Sequence, residues 1–137
     1  MAQRIVPWET DIQARWYRAN ELIRLFFPPL TIDLVEEDTT QQWRITFESW
    51  QAQRVTTEEC VWPFGVDNLP EEGGGFFEVL DSDWIYALGK EQVKFLVPSR
   101  HFIVCCYDEI IEIVAHDYKI TKLEGMGYPE DQDRVGL

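Results

Sequence analysis

Basic residues are scarce in this sequence of 137 residues, in which twelve lysine and arginine residues stand against twenty-five aspartate and glutamate residues. The formal net charge of −13 would repel nucleic acid and anionic membrane surfaces, so we expect direct binding to neither. Long apolar runs are also missing. The longest, residues 102–107, is far shorter than the about 20 residues that a membrane helix needs, and residues 1–11 lack the apolar segment of a secretion signal.

Cysteine is rare as well, with three residues in the chain. Cys105 and Cys106 are adjacent and would point to opposite faces of a strand, and an odd number cannot form a closed set of intramolecular disulfides. We therefore expect reduced thiols and a cytoplasmic protein. No cofactor is expected, because the glycines at positions 73–75 lack the lysine and the serine or threonine of a phosphate-binding loop.

The N-terminal region has the spacing of an amphipathic helix over residues 11–27. Apolar residues recur there at steps of three and four, namely Ile12, Trp16, Ala19, Ile23 and Phe26. Pro28 and Pro29 follow, and proline ends a helix because it lacks the backbone N–H. We expect this helix to be the largest helical element of the chain.

Residues 31–123 are mostly typical of β-structure, and the acidic segment 124–137 is expected to be a mobile tail. The sequence thus predicts one α+β domain over residues 1–137. In that domain the N-terminal helix packs on a twisted, mostly antiparallel sheet of five to seven strands. The sheet either stays open or curls into a half-barrel.

Several shorter patterns define elements within the β region. Residues 43–47 alternate apolar and polar side chains, and the alternation slips near Glu48 and Ser49, which predicts a β-bulge in a continuing strand. Residues 76–80 predict another strand. Ser82 is placed to cap a short helical segment that Gly89 would end.

The strongest β signal covers residues 101–116, which a turn centred on Asp108 and Glu109 would fold into a hairpin. One face would be wholly apolar and would belong to the core, with Phe102, Val104, Cys106, Ile111, Ile113 and Ala115. The other face would carry the chemically versatile residues. In this register His101 lies opposite His116, and Cys105 lies opposite Glu112.

Those four residues are the group in the sequence that could form a catalytic or metal-binding site. His101, His116 and Glu112 are candidates for acid–base catalysis, and together with Cys105 they are candidate zinc ligands. The alternative is structural, because histidines also cap strand ends and a slip of one residue would move a side chain to the other face. A serine triad cannot be assembled from the sequence, so Ser82 is interpreted as a helix cap.

Charge and exposed aromatic residues guide the functional prediction. The net charge is +1 over residues 1–30, −10 over 31–99 and −4 over 100–137. The loop after the first strands contains four candidate partner-binding residues, Trp62, Phe64, Glu71 and Glu72. We therefore predict a non-enzymatic interaction protein, of the inhibitor, immunity or adaptor type, that recognises a basic protein partner.

A second hypothesis belongs to a different class. The chain would then be a small-ligand-binding protein or a cofactor-free enzyme, with a pocket between the helix and the sheet that uses the His101/His116 face. In either case an exposed strand edge leaves room for a homodimer formed by sheet continuation.

Overall fold

The computed structural model describes residues 3–8, 10, 12, 17–19, 24–25, 29–36, 41–57, 59–60, 69–70, 75–93, 98–106 and 109–126. These residues form ten strands and one helix. In chain order the elements are β1 (Arg4–Pro7), β2 (Tyr17–Ala19), β3 (Arg24–Leu25), β4 (Leu30–Glu36), β5 (Gln41–Phe47), β6 (Trp50–Thr57), β7 (Phe76–Leu80), α1 (Asp83–Val93), β8 (Arg100–Cys105), β9 (Glu109–Ala115) and β10 (Lys119–Met126).

The strands form two five-stranded sheets. Sheet A has the order β1-β7-β8-β9-β6, and sheet B has the order β10-β5-β4-β2, with β3 also paired to β4. Every strand pair is antiparallel, so the predicted antiparallel pairing is confirmed.

The predicted α+β fold is wrong, because the structure is mostly β and has no N-terminal helix packed on a sheet. Two segments of the predicted helix, Tyr17–Ala19 and Arg24–Leu25, are strands that pair with β4. The physical reason is that one edge of β4 pairs with β5, and its other edge still needs hydrogen-bond partners. β2 and β3 supply them, and this long-range pairing outweighs the local helical spacing.

The main core lies between the two sheets. Sheet B contributes Leu30, Ile32, Leu34, Trp43, Ile45 and Phe47, and sheet A contributes Phe76, Phe102, Val104, Ile111, Ile113 and Ala115. The rings of Phe47 and Phe102 meet across the two sheets, with their centroids 5.6 Å apart. Trp8, which follows β1, packs against Phe76, Phe102 and Tyr118, so the N-terminal segment is fastened to the same core.

The chain changes sheet three times, and the two passages that the structure describes throughout are tight corners. Residues 48 and 49 form a turn that ends β5 in sheet B and begins β6 in sheet A. The bulge predicted near Glu48 and Ser49 is therefore a change of sheet. Residues 116–118 make the reverse passage, from β9 in sheet A to β10 in sheet B.

The hairpin predicted over residues 101–116 is present as β8 and β9, with a register that differs by two residues. Phe102 pairs with Ile113 and His101 pairs with Val114, so His101 does not lie opposite His116. Because a shift of two residues preserves the faces, the side chains predicted to be apolar and internal do pack in or against the main core.

The helix α1 follows β7 through a two-residue turn. The Ser82 hydroxyl accepts a hydrogen bond from the Ile85 N–H at 3.2 Å, so the predicted cap is confirmed. Gly89 breaks the helical geometry with φ 141°, a value that favours glycine. Within the described residues no helix is long and apolar enough to cross a membrane.

Candidate functional site

The candidate site lies on the outer face of sheet A, the face turned away from the main core. Phe77, Val79 and Ile103 form a second apolar cluster on this face. β8 and β9 bring His101 and Glu112 to the same face as diagonal neighbours, because His101 pairs with Val114 and Ile103 pairs with Glu112. Both polar side chains are fully buried, with 0% exposure.

A chain of hydrogen bonds, which we call the relay, joins Ser82, His101, Glu112 and Arg54. Ser82 Oγ lies 2.8 Å from His101 Nδ1, and His101 Nε2 lies 2.8 Å from Glu112 Oε1. Arg54 donates from Nε and Nη2 to the two oxygens of Glu112, each at 2.8 Å. The relay thus extends from the start of α1 to β6, which is an edge strand of sheet A.

The electrostatics of the relay follow from the carboxylate. Burial alone would raise the pKa of Glu112, but hydrogen bonds from His101 and Arg54 outweigh it and lower that pKa from its ordinary value. An ionised carboxylate can only accept, so His101 donates from Nε2. When the ring is neutral, Nδ1 accepts a hydrogen bond from the Ser82 hydroxyl. Each bond of the relay then has one donor and one acceptor.

Trp84 covers the relay from the side of α1. Its ring meets the ring of His101 edge-on, with centroids 5.1 Å apart, and the Arg54 guanidinium lies 4.2 Å from the centroid of the Trp84 ring. Beneath this cover His101 and Glu112 have no exposure, whereas a third of the Arg54 side chain remains exposed. The hydrogen bond between His101 and Glu112 is therefore strengthened by the low local dielectric.

Of the four residues that the sequence grouped together, His101 and Glu112 are in contact in the structure. Cys105 is close enough to Glu112 that burial, together with the carboxylate charge, raises the pKa of its thiol to about 12. His116 follows the end of β9, and its buried Nδ1 makes no hydrogen bond.

This arrangement does not resemble a zinc site. Both ring nitrogens of His101 already have hydrogen-bond partners, at Ser82 and Glu112, so neither is open to a metal ion. Across the part of the chain that the structure describes, no group of three or more His, Cys, Asp or Glu side chains is placed to hold a metal ion.

Sequence reasoning missed three residues of the site. Ser82 was identified only as a cap, and its bond to His101 spans 19 positions, which no local pattern reveals. Arg54 and Trp84 reach the site from β6 and α1. One signal was present for Arg54, because an arginine in an otherwise uncharged strand is a candidate partner for a buried carboxylate. The four predicted partner-binding residues, Trp62, Phe64, Glu71 and Glu72, lie outside the described residues.

Three arginines in the strands are held in ion pairs within the fold. Arg44 bonds both oxygens of Asp33, Arg54 those of Glu112, and Arg100 those of Glu78. Each of these three pairs cancels one positive and one negative charge, so the other nine basic and twenty-two acidic residues of the sequence carry the net charge of −13. The described exposed charged side chains are Glu48, Glu59, Asp81, Asp83 and Asp117 against Arg4, Lys119 and Lys122.

A surface groove of about 300 Å³ lies at the two corners between the sheets. It is lined by Thr46, Glu48, Ser49, Asp117, Tyr118 and Lys119. No residue of the relay lines this groove, and its lining offers no base paired with a nucleophile. Of these two places in the described structure, we therefore consider the relay, and not the groove, as the one that could support a reaction.

Comparison of the chain with protein-family models, with curated proteins and with solved structures found no match.

Proposed function

We propose that the chain is an acidic interaction domain, of the inhibitor, immunity or adaptor type, that binds a basic protein partner. The observation that carries the proposal is the internal pairing of Arg44, Arg54 and Arg100 with carboxylates. Each of these pairs is neutral overall, so the whole excess of thirteen negative charges belongs to the remaining residues. Such a surface attracts basic proteins and accelerates their association.

The contact residues of this proposal are Trp62, Phe64, Glu71 and Glu72. Tryptophan and phenylalanine supply the apolar contact area that commonly dominates binding energy, and adjacent carboxylates orient a basic partner. The proposed compartment is the cytoplasm, which the free thiols of the three cysteines support.

The test begins with proteins captured from a cell extract on the immobilised chain and released by salt. Each captured protein is purified, and its association and dissociation rates are measured at low salt and at about 0.15 M salt, where the Debye length is about 8 Å. A basic partner whose association slows markedly with salt supports the proposal. A set of purified partners that are not basic, or whose association is insensitive to salt, contradicts it.

Two double variants with the same charge change separate contact from long-range attraction. Glu71→Gln with Glu72→Gln should slow association and also accelerate dissociation, because these carboxylates are proposed to touch the partner. Glu48→Gln with Asp117→Asn, at the corners between the sheets, should slow association to a similar extent and leave dissociation unchanged. Equal dissociation rates in the two variants would exclude Glu71 and Glu72 as contacts.

The alternative prediction, a pocket between the N-terminal helix and the sheet, is not carried forward in that form. The helix that was to form one wall is contradicted by β2 and β3. What the structure offers in its place is the relay at the start of α1.

A further inference from the structure

We propose that Ser82 is an activated nucleophile that accepts an acyl group from a neutral or cationic ester, with His101 as its base and Glu112 as the group that orients the imidazole. This inference goes beyond partner binding and does not depend on it. It rests on four features of the turn between β7 and α1.

The first feature is the conformation of that turn. β7 ends at Leu80, α1 begins at Asp83, and Asp81 between them has φ 54°. A positive φ in a residue other than glycine costs energy, and such strain is concentrated at functional sites. A sharp turn from a strand into a helix is also the setting in which hydrolases present a nucleophilic serine, so Ser82 occupies a suitable position.

The second feature is the order of the hydrogen bonds. A serine, a base and an orienting carboxylate stand in sequence at 2.8 Å each, which is the arrangement that activates a hydroxyl. Here the serine bonds Nδ1 and the carboxylate bonds Nε2. Either ring nitrogen can accept a proton while the other donates, so this order is chemically competent.

The third feature is access. His101 and Glu112 have 0% exposure, whereas Ser82 has 8%. Of the serine, the base and the orienting carboxylate, Ser82 is therefore the most exposed. Its oxygen also accepts the Ile85 N–H, at the longer distance of 3.2 Å.

The fourth feature is a donor for the negative charge that forms on the ester oxygen. In strand–turn–helix hydrolase sites, the N–H of the residue after the nucleophile stabilises that oxyanion. The corresponding donor here is the Asp83 N–H, and the side-chain carbonyl oxygen of Gln3 accepts from it at 3.0 Å. The Gln3 side-chain oxygen thus occupies the place that a substrate oxygen would take. Because this hydrogen bond is exposed to solvent, a substrate oxygen could replace Gln3 as its acceptor.

The charges around the turn define the substrate class. Asp81 and Asp83 flank Ser82, and both are exposed. They would repel an anionic substrate such as a phosphate ester and tolerate neutral or cationic ones. In the reaction, the Ser82 Oγ–acyl bond forms, the ester C–O bond breaks, and the Oγ proton passes through His101 Nδ1 to the departing alcohol. Water then hydrolyses the acyl-serine, and Ser82 regains its proton.

The test uses diisopropyl fluorophosphate, a small neutral reagent, on the full chain. The Ser82 Oγ–P bond would form, the P–F bond would break, and fluoride would leave as the proton moves to His101. Intact-mass measurement and peptide mapping should find one adduct, on Ser82. Ser82→Ala should abolish it, and Ser99→Ala should keep it, because Ser99 bonds Gln51 and has no such base.

His101→Gln keeps a polar amide and should slow labelling by about 10²- to 10⁴-fold, the usual contribution of a general base. Gln3→Ala removes the competing acceptor and should accelerate labelling. Labelling of the unmodified chain requires no variant to fold. No adduct on that chain, or an adduct on another serine, would overturn the proposal.

Discussion

The ion pair between Arg54 and Glu112 joins a partly exposed arginine to a fully buried carboxylate. Glu112 has no exposure, and about a third of the Arg54 side chain, 33%, is exposed. We consider the substitution Arg54→Met, which keeps the length of the side chain and removes its charge. The carboxylate then remains buried with His101 as its remaining partner in the relay.

Removing one partner of a fully buried pair usually costs about 3–5 kcal/mol. Because Arg54 is partly exposed, solvent already screens the pair, and we expect a loss of about 2–3 kcal/mol in the free energy of unfolding near neutral pH. The loss should be measured by urea denaturation followed by tryptophan fluorescence. Arg4→Met is the control, since Arg4 is exposed, and it should change stability by less than about 0.5 kcal/mol.

The pH dependence supplies a second criterion. In the unmodified protein the pKa of Glu112 is lowered, so its contribution to stability is present above the pKa of the unfolded chain and is lost as the pH falls through the lower, folded value. Without Arg54, burial should raise the pKa of Glu112. The variant carboxyl then protonates first, and the difference in stability between the two proteins should shrink on acidification. A loss equal to that of Arg4→Met, or one that does not change with pH, would refute this account.

Three further predictions follow from individual residues. Phe102→Ala should lower stability by about 3–5 kcal/mol in urea denaturation, because the ring is fully buried in the main core; a loss below about 1 kcal/mol would contradict the packing described. Gly89→Ala should lower the free energy of unfolding by about 1–2 kcal/mol, because Gly89 has φ 141°, which alanine adopts only at a cost. The loss should appear as a lower midpoint of urea denaturation, and unchanged stability would contradict the φ angle described for Gly89. Iodoacetamide should modify exposed Cys60 quickly and Cys105 only on unfolding, since the pKa of Cys105 is raised to about 12; equal rates in peptide mapping would be inconsistent with this burial.

The hairpin shows how far a sequence pattern can lead. The alternation in residues 101–116 predicted which side chains face the core, and it succeeded although the register was displaced by two residues. Side chains alternate between the two faces of a strand, so a register shift of two residues leaves each side chain on the same face. The partner across the strand depends on the position of the turn, so the predicted pairing of His101 with His116 was wrong.

Other features depended on contacts that the local sequence does not contain. The apolar spacing of residues 11–27 fits a helix, but the open edge of β4 recruits parts of this segment as strands. The change of sheet at Glu48 and Ser49 resembles a bulge in the sequence, because both interrupt the same alternation. For the site, the placement of His101 and Glu112 on one face was predicted, whereas their burial and the arrival of Ser82 and Arg54 depend on α1 and on strand order.

The two corners between the sheets have a consequence for biosynthesis. Sheet A combines β1 with β6 to β9, and sheet B combines β2 to β5 with β10, so neither sheet is encoded by one uninterrupted stretch. β10 closes the partnership with β5 and ends at Met126. During synthesis on the ribosome, β5 therefore lacks one of its partner strands until β10 has been translated, and folding dominated by such distant pairings is slow.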